Sequence, residues 1–227
     1  MPVAVKICGL TDAAALDAAV EGGAGYLGFV FYPPSPRALD VEQAAALARR
    51  APPDRIRVGV FVDPDDDLLD RTLARLPLEA LQLHGGESPE RVRAIRTRTG
   101  RVVIKALKVA DAGDLAPVPA YAAVADMLLF DARPPKEPGR FPGGNGLAFD
   151  WRLIAGLDPG KPVMLSGGLD PGNVAAAIAL TQVGAVDVSS GVERRPGEKD
   201  PDKIEAFVKA ARAAFTASDP GLVRDSH

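Results

Sequence analysis

Cys8 is the only cysteine in the chain, and it ends an apolar run in Lys6-Ile7-Cys8-Gly9. Asp131 ends another, in Leu128-Leu129-Phe130-Asp131. A thiol at a strand-to-helix junction sits where α/β proteins place their chemistry, and its reactivity depends on surroundings that lower an ordinary pKa of about 8.5. A carboxyl at the mouth of an apolar strand, its pKa raised, can give up a proton as a general acid. Both residues have plainer alternatives. Free cysteines are mostly small buried hydrophobes, and a strand-end aspartate often bonds the backbone of a turn. With no second cysteine, an internal disulfide is excluded.

Four further positions share this placement. Arg37 follows Phe31-Tyr32-Pro33-Pro34-Ser35-Pro36, a loop stiffened by three prolines that would present a guanidinium to an anion at reduced entropic cost. The alternative is a solvated surface arginine. His84 follows Gln82-Leu83 and is either functional or a brace for the next loop. Ser166-Gly167-Gly168 and Ser189-Ser190-Gly191 follow two late apolar runs. Small residues there let backbone N–H groups approach an anion such as phosphate, although tight turns alone also ask for glycine.

The elements that must carry these residues are legible as alternation. Apolar runs occur at 3–7, 26–31, 56–62, 80–83, 102–106, 127–130, 162–165 and 186–188, with helical patterns between them. Continuous rather than alternating apolarity fits strands buried on both faces, as in a parallel sheet. Helix starts are marked at Thr11-Asp12, at Asp40 with Gln43 placed for a capping box, and at Ser88-Pro89, Asp170-Pro171 and Asp200-Pro201. Pro117 and Pro119 make the fifth helix the least regular. Eight βα repeats predict an α/β fold, a single (β/α)8 TIM barrel over 1–216, with 217–227 a frayed C-terminal tail. A doubly wound open sheet is the alternative. In a barrel, the strand-end residues gather on one face, where active sites lie.

Composition limits the partners. A hydrophobic share of 47%, a charged share of 25% and a net charge of −3 describe an ordinary globular chain, with no basic footprint for nucleic acid and no run suited to a membrane. The start of the chain carries no signal-peptide pattern, and a lone thiol fits a cytoplasmic protein. There are two histidines, one of them His227, so a histidine-rich metal site is excluded. The 133–147 segment, rich in glycine and proline, reads as a lid or a connector. The partner expected is a phosphorylated small molecule, to a chain that is a monomer or homodimer.

The motifs taken together resemble the N-(5′-phosphoribosyl)anthranilate isomerase family. The likeness runs from Lys6 to about Phe207 through KICGLT at 6–11, GFVFYPPSPR at 28–37, QLHG at 82–85, LLFD at 128–131, GGNGLAFDW at 143–151, LSGGLDPGNV at 165–174 and VDVSSGVERRPGEKD at 186–200. It implies an Amadori rearrangement without metal or organic cofactor, with Cys8 as general base and Asp131 as general acid. It also implies that Arg37 meets the substrate carboxylate and that Gly168, Ser190 and Gly191 hold the phosphate. His84 and Asp187 match motif positions and take supporting roles in substrate binding. One departure is visible: the family's GGTG reads GGNG here, with Asn145, which implies altered loop contacts. Two other functions are open to such a barrel. A lyase or synthase would need lysines and carboxylates paired at strand ends, and Lys6 and Lys105 show no matching carboxylate cluster in the sequence. A non-catalytic phosphate binder would have no use for Cys8 and Asp131.

Overall fold

Eight short parallel strands close on themselves in chain order: β1 (Ala4–Cys8), β2 (Tyr26–Val30), β3 (Ile56–Phe61), β4 (Ala80–Leu83), β5 (Val102–Val109), β6 (Met127–Ala132), β7 (Val163–Leu165) and β8 (Ala185–Val188). β1 pairs with β2 on one side and with β8 on the other, so the expected barrel holds and the open sheet is ruled out. The structure, a computed structural model, describes residues 3–133, 143–144 and 146–216. Asn145, most of the 133–147 segment and the 217–227 tail lie outside the described residues.

Helices α1 (Ala13–Gly22), α2 (Val41–Ala48), α3 (Asp66–Arg75), α4 (Pro89–Thr99), α5 (Val118–Ala122), α6 (Val174–Thr181) and α7 (Pro201–Thr216) fill most of the outer layer. Their starts follow the sequence in detail. Asp12 accepts from the Ala15 N–H, Asp40 and Gln43 form the reciprocal capping box, and Ser88 caps α4 with Pro89 in its first turn. Asp170 departs from expectation. Its Oδ1 accepts from the Gly172 and Asn173 N–H groups in a local turn, and α6 begins only at Val174. Between β6 and β7 the described residues hold a single 3-10 turn, Trp151–Ile154, where a full helix would stand.

The strands' outward side chains, such as Ile7, Leu27, Phe29 and Phe130, pack against the helices in the main apolar core. Their inward side chains form a separate interior cluster that includes Val58, Ile104, Leu129 and Met164. Period-two alternation therefore puts Lys6 and Cys8 on one inward face of β1, and Leu129 and Asp131 on that of β6. The interior is apolar at the bottom and polar at the top. That gradient sets where chemistry can occur.

Candidate active site

An open cavity lies at the C-terminal ends of the strands, where barrels keep their ligand sites. Cys8, Arg37, His84, Asp131, Gly168, Asp187 and Ser190 all line it. Gly191 does not, but it sits directly behind. A Cβ at Gly191 would collide with the Leu169 carbonyl oxygen, so the loops after β7 and β8 meet there backbone to backbone.

Cys8 is the last residue of β1, 7% exposed, and its pKa is raised. Burial is the main cause; Lys6 pulls the other way, Asp187 pushes further up, and Lys199 helps to lower it. The environment therefore does not lower the thiol pKa as the sequence reasoning required. It leaves the resting group a thiol, with cations at hand to stabilise the thiolate when it forms. Lys6 is close by: a Cβ built on Gly28 would lie 3.2 Å from Cys8 Sγ and 3.3 Å from Lys6 Cε.

Lys6 is fully buried, and its Nζ donates to Asp187 Oδ1 at 2.8 Å. The other Asp187 oxygen accepts from Ser166 Oγ at 3.1 Å. Burial opposes the lysine's charge, but Asp187 and Cys8 outweigh it and raise its pKa. The absence of matching carboxylates for Lys6 and Lys105 is thus corrected. Lys6 meets Asp187, and Lys105 meets Glu87 at 2.5 Å.

Asp131 lies inside β6 rather than after it, because the strand continues to Ala132. Its Oδ1 accepts from the Ala132 N–H at 2.9 Å, and its Oδ2 is 3.1 Å from His84 Nε2. His84 Nδ1 in turn lies 2.8 Å from the Gln82 amide nitrogen. With that amide donating, the ring proton falls on Nε2 and points at Asp131. His84 is therefore not a surface brace but a neighbour of the carboxyl. Gly143 approaches so closely that a Cβ there would lie 2.5 Å from His84 Nε2 and 2.9 Å from Asp131 Oδ2.

Arg37 is buried rather than solvated. Its Nε and Nη2 donate to the two carboxylate oxygens of Glu193 at 2.7 and 2.8 Å, and Nη2 also donates to the Gly144 carbonyl at 3.1 Å. At the far side of the cavity, Gly167 and Gly168 adopt left-handed backbone angles. Ser190 opens a 3-10 turn, Ser190–Val192, whose first internal bond is the Val192 N–H to the Ser189 carbonyl. The Ser190 and Gly191 amides precede that bond, which leaves them outside the turn's own bonding.

The residues singled out in the sequence, Gly191 apart, line one cavity; sequence reasoning missed Gln82, which also lines it, and Lys6, Glu193 and Lys199 behind it. Lys6 carried a usable signal, since it stands two residues before Cys8 and shares its face. Gln82 relates to His84 in the same way. Glu193 and Lys199 carried only their place in the 186–200 motif, because their partners are set by folding.

Comparisons with known proteins agree along the chain. The family described as N-(5'phosphoribosyl)anthranilate (PRA) isomerase matches residues 5–210. The N-(5'-phosphoribosyl)anthranilate isomerase of Azorhizobium caulinodans is 55% identical over 224 residues, which is 99% of this chain and 98% of that one. The crystal structure of phosphoribosyl anthranilate isomerase from Thermotoga maritima superposes with a TM-score of 0.84 at 40% identity, covering 93% of this chain and 99% of its own. A crystal structure of phosphoribosyl anthranilate isomerase in complex with reduced 1-(o-carboxyphenylamino)-1-deoxyribulose 5-phosphate superposes with a TM-score of 0.81 at 39% identity, covering 93% and 99%.

Proposed function

Because this chain belongs to the N-(5′-phosphoribosyl)anthranilate isomerase family, we propose that Cys8 and Asp131 are the general base and general acid of its reaction. The enzyme is an isomerase of tryptophan biosynthesis. It converts N-(5′-phosphoribosyl)anthranilate into 1-(2-carboxyphenylamino)-1-deoxyribulose 5-phosphate. The observation that carries the residue assignment is the placement of a thiol and a carboxyl at the ends of β1 and β6, both lining one cavity.

In this reading the substrate phosphate docks on the Gly168, Ser190 and Gly191 amides, and the anthranilate carboxylate meets Arg37. Asp131 delivers its proton to the furanose ring oxygen as the C1–O bond breaks. The electron pair on the anthranilate nitrogen forms C1=N, which leaves an iminium. Cys8, as thiolate, removes the C2 proton, and the C2–H electrons move to form C1=C2 while the iminium π pair returns to nitrogen. The enolamine then gains a proton at C1 and loses one from the C2 hydroxyl, which gives the ketone. The iminium is the electron sink, so the carbon acid needs no organic cofactor.

The raised Cys8 pKa fits this order. Burial favours the thiol at rest, so its proton must pass to solvent through the open cavity before the C2 step, and the iminium that appears after ring opening adds a cation to Lys6 in favour of the thiolate. His84 orients Asp131 through Oδ2, and Asp187 holds Lys6 near the thiol. The reaction belongs in the cytoplasm, where a lone thiol stays reduced. Among the described residues no helix is long and apolar enough to cross a membrane.

The test is a fluorescence assay of substrate consumption with Cys8→Ala and Asp131→Asn. Each should lose about 10²-fold or more in kcat, as removal of a positioned acid or base does, with circular dichroism unchanged. Near-normal turnover in either folded variant removes that residue from its role.

A further inference from the structure

We propose that Glu193 is the positioning residue for Arg37, holding the guanidinium in the one orientation that discriminates ligands bearing an anthranilate carboxylate. The proposal rests on the reading of Arg37 as the carboxylate anchor. Its foundation is a difference in placement: Arg37 lines the cavity, whereas Glu193 and Lys199 are absent from the lining residues and stand behind it. The Glu193 carboxylate takes one edge of the guanidinium through Nε and Nη2, both side chains being almost fully buried. Gly144 takes a second Nη2 contact. The Nη1 nitrogen is the corner held by neither, so a ligand carboxylate meets a fork already locked at its other edge.

Glu193 is itself over-determined. It opens a short antiparallel hairpin, β9 (Glu193–Arg195) with β10 (Glu198–Lys199), in the loop after β8. Its backbone carbonyl accepts from Lys203 Nζ at 2.8 Å, and its Oε2 accepts from the Gly197 N–H at 3.3 Å. Lys199 Nζ reaches Oε1 at 2.5 Å and continues to the Ser189 carbonyl at 3.1 Å and Ser189 Oγ at 3.2 Å. Ser189 Oγ donates to the Cys8 carbonyl at 3.0 Å. One chain of contacts therefore joins the carboxylate anchor to the backbone of the base. Burial would push the Glu193 carboxyl up, but Arg37 and Lys199 hold it below its ordinary value, so it stays the anion this arrangement requires.

A free arginine side chain samples many rotamers, and fixing it on binding costs affinity. Glu193 fixes it beforehand. In Glu193→Gln an amide NH2 replaces one oxygen and faces an arginine N–H, donor against donor, so the fork cannot be held at both prongs.

The experiment measures binding of two probes to the full-length protein: reduced 1-(2-carboxyphenylamino)-1-deoxyribulose 5-phosphate and its counterpart without the carboxylate. In Glu193→Gln the carboxylated probe should weaken by roughly tenfold to a hundredfold, and the other by less than about threefold. Equal weakening of both, or an unchanged preference, overturns the proposal. Arg37→Met is measured alongside. If that variant keeps the carboxylate preference, the reading of Arg37 has failed. If it loses the preference while Glu193→Gln keeps it, the role of Glu193 has failed. Should Glu193→Gln not fold, Glu193→Asp decides: it keeps the buried charge but is too short for both prongs. A fall in preference of at least about fivefold supports the proposal, and no fall overturns it.

Discussion

Two buried lysine–carboxylate pairs stand in the wall of this barrel, and they do opposite work. Lys6 and Asp187 point into the barrel beside Cys8, with Asp187 lining the cavity. Lys105 and Glu87 face the other way, toward the helices, under the loop that carries His84. Burial works against the charge of both lysines. At Lys6 it is outweighed by Asp187 and the thiol, and the pKa is raised; at Lys105 burial prevails over Glu87, and the pKa is lowered. Both lysines lie on strands, but Asp187 is on β8 whereas Glu87 is in the loop after β4. The lysines differ in the face of the strand they occupy, and with it in whether the pair meets the thiol or a loop.

The Lys105 pair is a brace. Lys105 Nζ donates to the Gly85 carbonyl at 2.8 Å, Glu87 Oε1 accepts from the Asp63 and Gly85 N–H groups, and Tyr121 bonds the Glu87 carbonyl. Those contacts fix the segment from which His84 reaches Asp131. The Lys6 pair has one such contact among the described residues, Asp187 Oδ2 with Ser166 Oγ after β7; its other neighbour is the thiol.

Substitutions break the comparison in order of size. Lys6→Met should lower kcat/KM by about a hundredfold, because the thiolate loses its nearest fixed cation. Since Lys6 lowers the Cys8 pKa, alkylation of the ligand-free variant followed against pH should place the thiol higher than in the parent, where burial already raises it above its ordinary value. An unchanged alkylation profile would make Lys6 a structural residue like Lys105. Lys105→Met should cost about 3–5 kcal/mol in denaturant unfolding, since it strands a buried carboxylate, while turnover per folded molecule stays within severalfold of the parent.

Glu87→Gln sharpens the contrast through pH. Burial raises the Glu87 pKa, but Lys105 and backbone donors reverse it, and the folded value lies below 4.5. A depressed carboxyl contributes stability above its unfolded pKa and loses it as pH falls through the folded value. The stability difference between parent and Glu87→Gln should therefore be full above about pH 5 and shrink with acidification below that. The smallest effect is expected for Tyr121→Phe, about 0.5–1.5 kcal/mol in unfolding and none on the Cys8 alkylation profile.

Much of this was legible in the chain. Apolar runs alternating with capped helices made the βα repeat legible, because parallel strands buried on both faces read as continuous apolar runs; closure of the sheet, which separates a barrel from an open sheet, came from the pairing of β1 with β8. Strand ends were misjudged where polar residues ended the apolar run: Cys8 and Asp131 lie within strands, since the top of a barrel interior admits polar side chains. The helix expected at Asp170-Pro171 starts later because a local turn uses the aspartate first. Cys8, Arg37, Asp131 and the Ser/Gly loops after β7 and β8 were readable as residues at or after strand ends. Their supports were not, because Lys6–Asp187 and Arg37–Glu193 join positions 181 and 156 residues apart. Strand register sets the first contact, and the hairpin after β8 sets the second.

The central claim is that Cys8 takes the C2 proton after Asp131 opens the ring. The most direct measurement follows substrate deuterated at C2, generated in place and quenched early, in the parent and in Cys8→Ala. The parent should form product with the label gone from C2, at a rate slowed by deuterium if that step limits turnover. Cys8→Ala should retain the label at C2 and form almost no product. Loss of C2 deuterium in Cys8→Ala at the parent rate would contradict the assignment of the base.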